Sequence, residues 1–433
     1  MQQYVEDLLA FLKESPTAFH AVEACVRRLP GFTELRESEP WTLVPGGKYY
    51  VTRNRSAIIA FTMPEGDFNG FRMVASHSDS PTFKVKENAE VTVRDHYVQL
   101  DVERYGGMIM STWFDRPLSV AGRVLVRTEK GIATRLVNLD RDTVMIPSVA
   151  IHMNREVNDG YKFNAAVDTM PLLGSAAVKG TFRRLIAEAA GVAEEDLLGT
   201  DLFLYNRVPG TVWGPEEEYL SAGRLDDLEC AYTSMTAFAQ TAPGKHVNVC
   251  AVMDNEEVGS LTKQGADSTF LRDTLEHIRN AAGKRDVPMQ RLLASSFLVS
   301  ADNAHAVHPN HPEYADAANC AWMNEGVVVK FNARQKYTTD AVSLSMFKQI
   351  CDRAGVPVQY FANRSDMLGG STLGNIANAH VSVNTVDIGL PQLAMHSAYE
   401  TAGVKDVESM IRALRACYET EITMCADGEW VME

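Results

Sequence analysis

The sequence predicts an α/β protein, a mixed sheet flanked by helices and built from the two ends of the chain, with a β-rich domain inserted between them. Three observations carry that expectation. Helical periodicity alternates with short, wholly apolar strands over residues 1–81 and again over 224–433, as in sheets whose parallel strands are buried on both faces. From 82 to 223 the chain changes to alternating segments such as KVKENAEVTVRDHYVQLDVE, separated by Gly, Asn and Asp turns, the pattern of antiparallel sheet. A length of 433 residues with 45% hydrophobic and 22% charged content also allows more than one well-buried core.

The elements follow in order. Residues 2–29 give two helical segments broken at Ser15-Pro16, with Ser15 expected to cap the second and Pro16 to be its first residue. KYYVTRNRSAIIAFTM (48–63) reads as a hairpin, and FRMVASHSDS (71–80) as an apolar strand running into polar residues. After the β-rich segment, LDDLECAYTSMTAFAQ (225–240) reads as a helix, VNVCAVMD (247–254) as a strand and FLRDTLEHIRNAAG (270–283) as a helix. SSFLVSAD (295–302) is then a strand, TDAVSLSMFKQICDRAG (339–355) a helix, and ESMIRALRACYETEITMCAD (408–427) a closing helix.

Composition excludes several classes of partner. A formal net charge of −15 disfavours nucleic acid and anionic membranes, since both require a basic face. No apolar run approaches the roughly 20 residues that span a bilayer, and MQQYVEDLLAFLKES is acidic and amphipathic, unlike an export signal. The 7 cysteines are odd in number, with no CxxC, which predicts reduced thiols in a cytoplasm and directs any metal to His and carboxylate ligands.

Polar groups collect where strands end or helices begin: HSD (77–79), RLDD (224–227), DNEE (254–257), SADNAHAVHPN (300–310) and MHSAYE (395–400). Adjacent glutamates ordinarily mark a solvated loop, but Glu256 and Glu257 follow a buried strand, where such sheets carry their sites. Like charges held together there call for a cation or a retained proton. In HSD, the spacing suits a metal-binding His77 whose other ring nitrogen is held by Asp79. Asp226 and Asp227 are indistinguishable at this level, because Asp is favoured at helix starts whatever its function.

These pieces resemble the aspartyl aminopeptidases, a family of cocatalytic dinuclear zinc exopeptidases. The resemblance is carried by SHSDSP (76–81), GRLDDLECAY (223–232), MDNEEVGS (253–260), SADNAHAVHPN (300–310), VVVKFNARQKYTTDAV (327–342), GGSTLGNIA (369–377) and DIGLPQLAMHSAYE (387–400), in the family's order from end to end. It implies a zinc exopeptidase-like catalytic domain and two Zn2+ per subunit, with Co2+ or Mn2+ as alternatives. It implies His77, Asp226, Glu257, Asp302 and His396 as ligands, with Asp226 bridging, Glu256 as general base and Asp79 as the orienter of His77. His152, on the inserted domain, would reach the site of a neighbouring subunit, a direct metal-ligand role being the alternative. Lys330, Tyr337 and Gly370 would line the substrate pocket, Lys330 supplying the positive field that an acidic side chain needs in an acidic protein.

The expected activity is removal of an N-terminal Asp or Glu from peptides by a cytoplasmic homo-oligomer built from dimers, with a dodecamer as one size. The alternatives are an aminopeptidase for neutral N-terminal residues, a deacylase or carboxypeptidase on the same scaffold, and a non-enzymatic assembly or cargo protein with a vestigial site.

Overall fold

The computed structural model describes residues 2–433. Its centre is a nine-stranded mixed sheet whose strand order is 33–35, 48–53, 57–62, 247–253, 71–77, 297–301, 384–389, 327–331 and 358–362. Strand Phe71–His77 is flanked by parallel strands Val247–Met253 and Phe297–Ala301, and Phe297–Ala301 pairs in parallel with Asn384–Gly389. Parallel neighbours end on the same edge, so His77, which is in register with Met253, stands beside Asp254 and close to the segment after Ala301.

Both faces of the sheet are apolar, and strand alternation divides the side chains between two cores. Ile58, Ala60, Cys250 and Val252 pack with helices Leu225–Gln240, Ala341–Ala354 and Val404–Glu419 on one face. Ile59, Phe61, Val249 and Ala251 pack with helix Phe270–Ala281 on the other. Each fully buried Ile, Val or Phe among them contributes about 1.5–3 kcal/mol.

Residues 82–206 form a separate six-stranded antiparallel sheet, ordered 131–138, 118–128, 197–206, 82–93, 97–105 and 172–175. It has its own core around Phe83, Leu100, Val120 and Leu202, closed by Phe182 and Ile186 of helix Phe182–Ala190. The strands that follow, Thr211–Trp213 and Tyr219–Ala222, belong to another sheet, in which Tyr219–Ala222 pairs with Glu400–Gly403. The chain thus rejoins its C-terminal part before residue 223.

Two expectations about elements are corrected. The second helix starts at Ala18 and Thr17 is its cap residue, so neither Ser15 nor Pro16 opens it. Ser15 is buried instead, and its backbone carbonyl accepts from Arg224 Nε at 3.1 Å. The closing helix Val404–Glu419 stops short of ITMCAD, which forms a hairpin of Ile422–Ala426 with Glu429–Met432. The β-branched Ile422 and Thr423, followed by Gly428 at φ +86° in the turn, favour that outcome over helix.

Candidate metal centre

At the carboxyl edge of the central sheet, His77, Asp226, Asp227 and Asp302 bring ligand-type atoms within 4.8 Å of one another, and Asp226, Glu257 and His396 do the same. The two groups share Asp226. Its Oδ1 lies 3.6 Å from His77 Nε2 and its Oδ2 3.2 Å from His396 Nε2. Glu257 Oε2 is 3.5 Å from the same His396 nitrogen. All five expected ligands therefore meet in one cluster, although they come from five separate stretches of chain.

Local backbone geometry makes this possible. Asp226 and Asp227 open helix Leu225–Gln240 but are not helical themselves (φ −82°, ψ 108° and φ −117°, ψ 21°), and the peptide between them is cis. Their side chains meet different partners. Asp226 faces both histidines, whereas Asp227 Oδ2 accepts the His77 backbone amide at 3.0 Å and lies 4.0 Å from His77 Nε2. Glu256 and Glu257 occupy a single 3-10 turn, Glu256–Val258, entered through Asn255 in the left-handed region at φ 61°, a conformation Asn tolerates well.

Asp79 supports this turn directly. Its carboxylate accepts the amides of Glu256 at 3.1 Å and Glu257 at 3.2 Å. The expected contact with His77 is also present, but the nearest acceptor of His77 Nδ1 is the Asp79 backbone carbonyl at 3.1 Å, with carboxylate Oδ1 at 3.3 Å. Glu400 acts in the same way on the other side, accepting the amides of Asp226 at 3.1 Å and His396 at 2.8 Å. Each of these two carboxylates thus fixes two residues of the cluster through their backbones.

The donor set fits a divalent cation. Asp226 Oδ1, Asp227 Oδ1 and Glu257 Oε1 are buried with no hydrogen-bond partner, an arrangement that is costly unless something electropositive completes it. Burial pushes the Glu256 carboxyl up to about 8, with His77 opposing and Asp302, Asp79 and Asp226 adding to the rise. Burial and Asp226 drive Glu257 well above the ordinary carboxylate range. Against its own burial, Asp226 is held low by the imidazoles of His396 and His77 beside it. Carboxylates and imidazoles crowded in this way compete for shared protons, and bound cations remove the competition.

The residues expected in the substrate pocket fall into two groups. Lys330 is buried at the edge of the cluster, where Nζ donates to the carbonyls of Asp302 at 2.7 Å and Asn303 at 3.3 Å and lies 3.7 Å from Asp302 Oδ1. Its ammonium stands 5.2 Å from the ring centre of buried Tyr337. The inward direction expected for Lys330 is observed, but it leads to the loop carrying Asp302. Gly370 is exposed, just before the short helix Leu373–Ala377. His152 lies exposed in the turn segment 147–168 and joins none of the histidine and carboxylate groups found among the described residues.

Several contributors escaped sequence reasoning. Asp387 accepts from the hydroxyls of Thr338 and Thr372, both at 2.7 Å, tying together the loops that carry Tyr337 and Gly370. A cavity of about 290 Å³ lies behind the cluster, bordered by Asp79, Tyr105, Asn255 and Glu400 and by none of the five expected ligands. Donor chemistry, and not cavity size, identifies the site.

Comparison with known proteins agrees. A model of the family "Aminopeptidase I zinc metalloprotease (M18)" matches residues 11–418. The "Probable M18 family aminopeptidase 2" of Clostridium novyi (strain NT) is 45% identical over 414 residues, covering 93% of this chain and 96% of its own. A chain in the cryo-EM structure of the Ape4 and Nbr1 complex superposes with a TM-score of 0.93 at 34% identity, over 96% of this chain and 85% of that one. The S. cerevesiae mApe1 dodecamer gives 0.84 at 27% identity, over 95% of each chain. The match runs from the first helix to the last helix of the catalytic part and spans the inserted sheet, so the chain belongs to the M18 family of aminopeptidase I zinc metalloproteases and is a metal-dependent aminopeptidase.

Proposed function

We propose that the chain holds two zinc ions, one on His77, Asp226 and Asp302 and the other on Asp226, Glu257 and His396, and removes N-terminal Asp or Glu from peptides. The observation that carries the two-metal reading is Asp226, whose two oxygens face two different histidines at 3.6 and 3.2 Å. When bound, the cations supply a water of lowered pKa and polarise the peptide carbonyl. Glu256 accepts the proton of the attacking water at its carboxylate and returns it to the leaving amine. Glu257, its neighbour on the turn, is a ligand, and Asp79 keeps the two in register through their amides. The same sites accept Co2+ or Mn2+.

The inserted domain pairs subunits, and His152 serves the site of the neighbour. Support comes from the exposed apolar side chains of the same turn segment, Val149, Ile151 and Met153 beside it in sequence and Val167 further on, which a partner surface would cover. The dodecamer formed by the mApe1 relative supports a larger assembly of such dimers. The free state of all the cysteines suits the reducing cytoplasm, and among the described residues no helix is long and apolar enough to cross a membrane.

Acidic preference is supported by the buried Lys330 ammonium over Tyr337. A neutral preference is the second reading, because two backbone carbonyls already take up donors of Lys330. Both are tested by kcat/KM on Asp-, Glu- and Leu-amide substrates with wild-type and Lys330→Met proteins. The acidic reading predicts that wild type favours Asp and Glu and that Lys330→Met loses far more on these than on Leu. Equal losses on all three would make Lys330 a support for Asp302, and a wild-type preference for Leu would establish the neutral reading.

A further inference from the structure

We propose that Tyr105, on the inserted sheet, is a positioning residue for the peptidase reaction: its hydroxyl fixes the Asp79 carboxylate, which in turn fixes the turn carrying Glu256 and Glu257. The inference rests on the reading of Glu256 as base and Glu257 as ligand. Tyr105 ends strand Tyr97–Tyr105. Its hydroxyl donates to Asp79 Oδ2 at 2.7 Å and accepts from Asn255 Nδ2 at 2.7 Å, so both of its hydrogen-bonding functions are engaged. Asp79 then receives the amides of Glu256 and Glu257 on its two oxygens. Asn255 is held from its other end, Oδ1 accepting from Thr262 Oγ1 at 2.8 Å and Gln264 Nε2 at 2.7 Å.

Rigidity follows from this count of bonds. A buried carboxylate with two amide donors and a phenol donor has one favourable rotation about its side chain, and loss of the phenol leaves Oδ2 with the longer of the two amide bonds. The ring of Tyr105 is held independently, edge-on to Phe203 with centroids 5.5 Å apart, so the hydroxyl is separable from the packing. The following residues extend the contact. A Cβ on Gly106, at φ +76°, would lie 3.0 Å from Glu257 Cβ, and the Ile109 amide donates to the His396 carbonyl at 3.0 Å. One short segment of the inserted domain therefore braces the base, one expected ligand beside it and another across the cluster.

The test compares Tyr105→Phe, Asp79→Asn, the double variant and Phe203→Leu in the full chain. It reads kcat and KM, thermal unfolding, and the zinc affinity of metal-free protein by competition with a chromophoric chelator. Tyr105→Phe is expected to fold, to lower kcat or zinc affinity by about 10- to 100-fold with KM little changed, and to add nothing to the loss from Asp79→Asn. Phe203→Leu, which disturbs only the ring packing, is expected to stay near wild type in kcat. Additive losses in the double variant, a wild-type Tyr105→Phe, an equal loss in Phe203→Leu, or unfolding of Tyr105→Phe while Phe203→Leu folds would each overturn the inference. Glu256→Gln separates it from the reading beneath it: full turnover in that variant removes the base assignment, whereas additivity removes only the role of Tyr105.

Discussion

Asp226 illustrates how much of the site depends on single side chains. Its two oxygens face the two histidines while its own amide is held by Glu400, so its backbone position is fixed. Glu256 differs in kind. It shares the turn with Glu257 but in the proposed mechanism serves as base and not as a metal ligand, so Glu256→Gln should bind zinc as wild type does and lower kcat by about 100- to 10,000-fold. Metal analysis together with turnover checks this, and a metal-replete variant with wild-type kcat would remove the base assignment. The gathering of His and carboxylate side chains at strand ends was legible in HSD, DNEE and SADNAHAVHPN. The different surroundings of Asp226 and Asp227 were not, because they depend on non-helical dihedrals within a segment whose pattern reads as plain helix. Glu400 and Tyr105 were illegible for another reason: each acts across a long stretch of chain, Glu400 on an amide 174 residues away, and local pattern holds no record of such a bond.

At the scale of elements, strand ends set the chemistry. Short runs apolar at every position made the central strands readable, and their shared parallel direction brings HSD, DNEE and the SAD segment to one edge. Helix ends were less readable. Ser-Pro is a sound start signal, yet Ser15 is drawn into contact with Arg224, and tertiary packing outweighs a cap contribution of about 1 kcal/mol. Close approach between elements supplies a further test. Strand Asn384–Gly389 meets the Asp302 loop so closely that a Cβ on Gly389 would lie 2.1 Å from the Asp302 carbonyl oxygen and 2.9 Å from the Ala304 nitrogen. Both are backbone atoms and cannot swing aside. Gly389→Ala should therefore cost about 1–3 kcal/mol in unfolding free energy and weaken zinc binding, while Gly66→Ala, with open space around its Cβ, should do neither. Equal zinc affinity in the two variants would show that the Asp302 loop tolerates displacement.

Across the whole molecule, the inserted sheet has two roles that sequence could not separate. Its strand end at Tyr105 braces the catalytic turn of its own chain, and the segment around His152 presents apolar side chains outward. In the proposed dimer, His152 serves the partner's site, so a His152→Ala protein mixed with a Glu256→Gln protein should regain activity through hybrid dimers. Assay after verified subunit exchange checks this, and no recovery would confine His152 to its own subunit or remove it from the reaction. The central claim is that one cluster on each chain holds two cooperating metal ions. Its most direct test is titration of the metal-free, full-length protein with zinc, following bound metal and hydrolysis of an N-terminal Asp-amide together. The account predicts saturation at two zinc ions per chain, with activity appearing as the second site fills and lost again on chelation. Saturation at one ion per chain, or full activity in the metal-free protein, would contradict it.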